Sequence, residues 1–144
     1  MLIAIGCDHR GLALKQAIIR SLSADGHRFE DAGTNDTASV DYPDIAVKVG
    51  RAVASGKAGY GILICGTGIG MCIAANKMKG IRAVNCGDAF CAERGRAHNN
   101  ANVLCLGGEI LDEAAALEIV NTFISTEFLG GRHQRRVEKL DTIE

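Results

Sequence analysis

Proline is all but missing from this chain: Pro43 is the single one in 144 residues, against 18 glycines. Glycine in that number without proline marks tight turns and close backbone approaches rather than a flexible linker. Also absent is any run of about 18 apolar residues, the length a helix needs to cross a bilayer. The opening residues, MLIAIGCDHRG, lack a basic leader followed by a long apolar stretch, so no signal peptide is expected. The six cysteines (Cys7, Cys65, Cys72, Cys86, Cys91 and Cys105) contain no CxxC pair. Scattered along apolar runs, they are expected to be buried thiols of a cytoplasmic protein, not a disulfide framework or a zinc site. Neither sign of charge dominates, since 16 Lys and Arg face 17 Asp and Glu for a formal net charge of −1. That balance excludes general binding to nucleic acid or to a membrane surface. No repeat, low-complexity tract or linker interrupts the sequence. With 47% hydrophobic and 23% charged residues, disorder and collagen-like structure are excluded. One domain covering residues 1–144 is expected.

What is present is a regular alternation of short apolar runs and amphipathic stretches. Leu2–Gly6 reads as a buried strand, followed by a helix through Leu12, Leu14, Ile18, Ile19 and Leu22 that ends at Asp25-Gly26. His27–Asp31 is a weaker strand, and the polar segment Gly33–Asp44, which holds Pro43, reads as a loop. Ile45, Val47, Val49 and Val53 suit a helix that stops at Ser55-Gly56, and Tyr60–Cys65 is the clearest strand. After GTGIG an Ala-rich helix runs to before Gly80, then Ile81–Asn85 predicts a fourth strand. Asp88–His98 predicts a helix with Asp88 as its N-cap. Val103–Leu106 is a fifth strand, a long helix opens at Asp112 and reaches about Phe128, and Arg132–Leu140 forms a terminal helix after Gly130-Gly131. Five strands joined through helices make a βαβ series: an α/β protein, a parallel sheet covered on both faces. In such sheets ligands bind beyond the carboxyl ends of the strands. Attention therefore falls on GCDHRG, CGTGIG, NCGD and LGGE.

Cys65 closes the third strand and Gly66, Thr67, Gly68, Ile69 and Gly70 lead into the next helix. Alternate glycines let the backbone approach a ligand and turn N–H groups toward an anion, and the helix start adds partial positive charge. A cysteine held there is a candidate base, although by residue type a buried core cysteine is the commoner case. A dinucleotide site fits less well, because the glycines run G-x-G-x-G and follow the third strand. Asp8 and His9 occupy the turn after the first strand; alone, such a pair is usually a turn device. His98 ends a helix, where it either complements the dipole or exchanges a proton near neutral pH. Asn99 either donates to a sugar hydroxyl or caps that helix. Arg132 and Arg136, spaced i, i+4, share a helix face with His133 and Arg135 nearby. Cations in a first helical turn oppose the macrodipole unless an anion is close, so this is either a phosphate grip or a solvated basic end. A soft base, an anion-stabilising loop, a titratable His and a phosphate grip together suit moving a proton beside the carbonyl of a sugar phosphate. No redox cofactor or metal is called for.

GCDHRG, Asp41-Tyr42-Pro43, ICGTGIGM, Ile73–Lys77, Gly80–Ala83, RAHNNANVL and GGRHQRRV occur in an order, and over a span, that resembles ribose-5-phosphate isomerase type B. The resemblance implies a three-layer αβα sandwich, Rossmann-like, with a five-stranded parallel sheet. It implies a homodimer or homotetramer whose sites are shared between subunits, with the His98–Asn99 region supplied by the partner chain. It also implies interconversion of D-ribose 5-phosphate and D-ribulose 5-phosphate through a cis-enediolate, with no cofactor. On the matching positions, Cys65 is the base and Gly66, Thr67, Gly68, Ile69 and Gly70 form the anion hole. His98 assists ring opening with Asp8 as helper, Asn99 binds hydroxyls, His9, Arg132 and Arg136 hold the phosphate, and Tyr42 lines the pocket. One departure stands out. Many members carry arginine in an LGxR pattern after the fifth strand, where this chain has Leu106-Gly107-Gly108-Glu109. A carboxylate repels phosphate, so Glu109 is expected to point elsewhere or to alter substrate choice.

Other readings remain. The chain could isomerise allose 6-phosphate, galactose 6-phosphate or a tetrose phosphate; Arg96-Ala97-His98-Asn99 and Arg132 speak for the ribose type. A phosphocysteine carrier would place its cysteine after the first strand and leave Arg132 and Arg136 unexplained. A regulatory domain that only senses sugar phosphates is the third.

Overall fold

The computed structural model describes residues 1–143. Along the chain run β1 (Leu2–Cys7), α1 (Leu12–Ala24), β2 (Arg28–Asp31), α2 (Tyr42–Ala54), β3 (Tyr60–Cys65) and α3 (Ile69–Asn76). They are followed by β4 (Ala83–Asn85), α4 (Ala89–Asn99), β5 (Val103–Gly107), α5 (Glu113–Ser125) and α6 (Arg132–Asp141). The strands form one parallel sheet in the order β2-β1-β3-β5-β4. From β1 the chain winds outward to β2, and from β3 it winds the other way. The crevice at the carboxyl ends of β1 and β3 is therefore the switch point of the sheet, the usual place for a ligand in this architecture.

Both faces of the sheet are covered, as the continuous apolar strands require. Because side chains alternate along a strand, Ile62 and Ile64 of β3 join the core beneath α1, α4 and α5, with Leu14, Ile18, Ala92, Ile119 and Phe123. Leu63 and Cys65 face the opposite way, into the layer formed by α2 and α3, with Ile45, Val49, Met71 and Ala75. The result is the αβα sandwich expected from the sequence. Among the described residues no helix is long and apolar enough to cross a membrane.

Several boundaries differ, four of them for a clear local reason. Tyr42 and Pro43 belong to the first turn of α2, with Asp41 as N-cap, not to a loop running through Asp44. Proline suits a first helical turn because the amide it lacks has no intrahelical partner there. β2 begins at Arg28, since the His27 N–H still closes the turn after α1 by donating to Leu22 O at 3.1 Å. β4 begins only at Ala83, because the Ile81 N–H turns back to Met78 O and the Arg82 N–H goes to the Asn102 side chain. α5 ends at Ser125 rather than near Phe128. The hydroxyls of Ser125 and Thr126 each donate at 2.7 Å to the carbonyls of Asn121 and Thr122, competing for acceptors of the last turn.

Candidate active site

The segment that enters α2 is tied to the sheet from below. Lys15, only 1% exposed, donates from Nζ to Asp31 (2.7 and 2.8 Å), Thr34 O (2.6 Å) and Asn35 Oδ1 (2.9 Å). Such a buried cation is tolerable only with its donors satisfied. The segment also extends along β1, with Ala32, Cys7 and Thr34 amides bonded to Ile5, Gly33 and Cys7 carbonyls at 2.6–2.8 Å. This delivers Tyr42 to the switch point.

There, a cavity of about 430 Å³ is lined by Asp8, Arg10, Tyr42, Cys65, Gly66, Thr67, Ile69, Gly70, Ile73 and Glu109. Cys65, the last residue of β3, accepts the Gly68 N–H on its sulfur at 3.2 Å. Gly68 is the N-cap of α3, left-handed at φ 79°, with no side chain of its own to cap the helix, while Thr67 Oγ1 accepts the Ile69 N–H at 3.3 Å. Glycine is required there twice over: the dihedral favours it, and a Cβ would collide with the Asn85 side chain. Tyr42 crosses the next turn so closely that a Cβ on Gly70 would lie 2.7 Å from its ring. Asp8, buried after β1, accepts the Arg10 N–H at 2.9 Å, which shapes the turn. Asp8, Tyr42, Cys65, Gly66, Thr67, Ile69 and Gly70 are thus brought together, with Gly68 bonded to the sulfur at their centre.

His9, His98, Asn99, Arg132 and Arg136 do not line this cavity. His9 turns toward the segment before α2, its Nδ1 accepting the Val40 N–H at 3.4 Å. The others gather at the opposite end of the molecule. Asn102 donates its amide to Arg82 O, so the end of α4 lies at the amino ends of β4 and β5. The register pairs Gly61 with Val103 and Cys65 with Gly107, and at about 3.3 Å per residue that separation is roughly 13 Å along the sheet. His98 stacks on His133 of α6 with ring centroids 4.1 Å apart and planes 8° from parallel. Burial, then the neighbouring His98, Arg132 and Arg136, hold the His133 imidazole below the usual histidine pKa. Arg132 and Arg136 are exposed on α6. Asn99 lines a second, larger hollow of about 1030 Å³, beside the Arg82–Asp141 ion pair and Lys77 and Lys79. Arg96 is structural: it is buried, donates to Ala101 O at 2.6 Å and Asn100 Oδ1 at 2.9 Å, and covers the Tyr60 ring. Asn100, not Asn99, takes the left-handed conformation that ends α4.

Two lining residues, Ile73 and Arg10, escape the sequence reading. Ile73 is signalled by its i, i+4 spacing from Ile69, both more than half exposed (58% and 56%). Arg10 shares the turn with Asp8 and His9. Of the two alternatives for Glu109, pointing elsewhere or altering substrate choice, the first is excluded: it lines the cavity, its Oε1 accepting from Arg10 Nη1 at 2.7 Å. Among the described residues no group of three or more His, Cys, Asp or Glu could hold a metal ion.

Residues 3–140 match the family described as Ribose/Galactose Isomerase. The chain belongs to that family. It is 46% identical over 142 residues to ribose-5-phosphate isomerase B of Escherichia coli, a match covering 99% of this chain and 95% of that one. D-erythrulose-4-phosphate isomerase of Pectobacterium atrosepticum is 42% identical over 147 residues, covering 99% and 94%. Among solved structures, ribose-5-phosphate isomerase B of Clostridium thermocellum superimposes with a TM-score of 0.97 at 48% identity, covering 98% of this chain and 95% of that one. The αβα architecture is therefore that of the Ribose/Galactose Isomerase family, and this chain is an isomerase of that family.

Proposed function

We propose that the protein is a cytoplasmic aldose-ketose isomerase that interconverts D-ribose 5-phosphate and D-ribulose 5-phosphate without a cofactor. The observation that carries this reading is the Cys65 sulfur, held at 3.2 Å by the Gly68 N–H in the lining of a cavity of about 430 Å³. Cys65 as thiolate takes the C2 proton of the open-chain aldose; the electron pair moves through the new double bond onto O1, giving the cis-enediolate. The thiol then returns the proton to C1 while a proton passes between the oxygens, with the buried Asp8 beside the same space. Gly66 to Gly70 stabilise the enediolate through main-chain donors, a kind of preorganised electrostatics whose single donors are each worth about 10²–10³ in rate. Asn99 binds hydroxyls, His98 opens the furanose ring, and His9, Arg132 and Arg136 take the phosphate. Since one chain keeps His98, Asn99, Arg132 and Arg136 at the far end of the sheet, a second copy supplies them, and the working unit is a homodimer or a dimer of dimers. The identity to ribose-5-phosphate isomerase B supports this substrate.

The test is solvent isotope exchange at C2. Cys65→Ala should abolish deuterium incorporation into ribose 5-phosphate while phosphate-ligand binding stays largely intact; exchange at the parental rate refutes the role of Cys65. The relative that acts on D-erythrulose 4-phosphate and the carboxylate at Glu109 favour comparison with four- and six-carbon aldose phosphates. A tetrose phosphate turned over faster than the pentose would replace ribose 5-phosphate as substrate.

A further inference from the structure

The charges lining the cavity are unusual for a site that receives a phosphorylated sugar: Asp8, Glu109 and Arg10 leave one carboxylate in excess. Backbone hydrogen bonds and an ion pair hold Glu109 over the glycine loop. Its own N–H donates to Gly66 O at 3.0 Å and the Gly108 N–H to Cys65 O at 2.7 Å, which sets the backbone register. Its Oε1 is gripped by Arg10 at 2.7 Å. Its Oε2 lies only 2.9 Å from where a Cβ on Gly66 would be. Stability does not explain this pair, because both side chains are half exposed, 55% and 51%, and exposed ion pairs contribute little.

A helix start whose N-cap is a glycine, behind alternating glycines, is an attractive place for any anion, a phosphate dianion included. A sugar phosphate could therefore enter backwards, its phosphate in the loop that the enediolate should occupy. We propose that Glu109, steadied by Arg10, is a positioning residue that repels phosphate from the glycine loop and so selects the orientation that presents the carbonyl end to Cys65. This deepens, and rests on, the isomerase reading above. The Arg10 guanidinium holds the carboxylate over Gly66 and offsets part of its field, so that an enediolate of lower charge is still accepted. The phosphate end is left to basic residues outside the cavity.

Two measurements test this. In an Arg136→Ala background, which weakens the proposed phosphate grip, calorimetric titration with inorganic phosphate should show Glu109→Gln binding about tenfold tighter, or about 1.4 kcal/mol. Glu109→Asp should stay near the parent and Arg10→Ala should bind more weakly. Equal phosphate affinity in Glu109→Gln and its parent overturns the proposal. With Arg136 intact, backward binding in Glu109→Gln should lower kcat and KM by the same factor and leave kcat/KM within about twofold, the signature of a nonproductive complex. A fall in kcat/KM with KM unchanged or raised would mark Glu109 as merely structural and also overturn it. If the parent turns over no aldose phosphate, the isomerase reading fails, while the phosphate titration still reports on Glu109.

Discussion

Cys65 and Cys72 flank the start of α3 and meet different surroundings. Cys65 receives a main-chain N–H in the cavity. Cys72, one turn into the helix, contacts Ala83 O and the Asn76 side chain at 3.5 Å. The neighbouring Cys105 thiol, opposed by burial and aided by Asn76, lowers its pKa to about 7. Burial instead pushes Cys7 up to about 11 and Cys86 up to about 12, and the Asp88 carboxylate raises exposed Cys91. Thiolate content governs alkylation. At about pH 7.5 iodoacetamide should modify Cys72 ahead of Cys91, despite the greater exposure of Cys91. Peptide mass mapping at partial labelling reads the order, and Cys91 first would contradict it.

At the scale of elements, α6 meets α4 through an aromatic contact, and the segment before α6 is tied to α4 by a main-chain bond. His133 lies on His98, and the Leu129 N–H donates to Ala97 O at 3.1 Å. The folded His133 stays neutral to lower pH than an unfolded histidine, which titrates near 6.5. As pH falls below about 6.5 the unfolded state takes the extra proton first, so stability is lost through the folded pKa of His133. Between about pH 7.5 and 5.5 the melting temperature of the parent should therefore drop further than that of His133→Gln. Equal drops would show that this imidazole does not report on the docking of α6. The other helices rest on apolar burial: Phe123, fully buried from α5, fills a place whose truncation to Ala typically costs about 3–5 kcal/mol.

For the whole molecule, the residues assigned to the proposed site fall into two separate groups. Cys65 and its loop lie at the carboxyl ends of the strands, and His98, Asn99 and the α6 arginines lie at the amino ends. Ile69 and Ile73 stand exposed at the rim of the cavity, an apolar edge suited to contact with a second copy. In a two-fold dimer, Cys65→Ala and His98→Ala chains would each build defective sites, yet their hybrid would contain one intact site. Co-refolding equal amounts should restore about a quarter of parental activity. A mixture no better than either variant alone would place Cys65 and His98 in the same chain's site, or in none.

The sequence by itself determined the fold class and the cysteine loop, because both rest on local rules: apolar runs of strand length separated by helical periodicity, and glycines where a strand meets a helix. The first turn of α2 was obscured by Pro43, which the sequence pattern treats as a breaker although a helix start accepts it. What only the tertiary structure decided is spatial company. Strand order places Asp8 beside Cys65, and no periodicity encodes that choice, whereas His98 and Asn99 lie at the far end because α4 feeds the amino end of a parallel strand. Long-range contacts likewise bring Arg10 and Glu109, 99 positions apart in sequence, into one ion pair over Gly66. A charge read along the chain says only that an anion is disfavoured nearby; which surface it faces depends on how the sheet is wound.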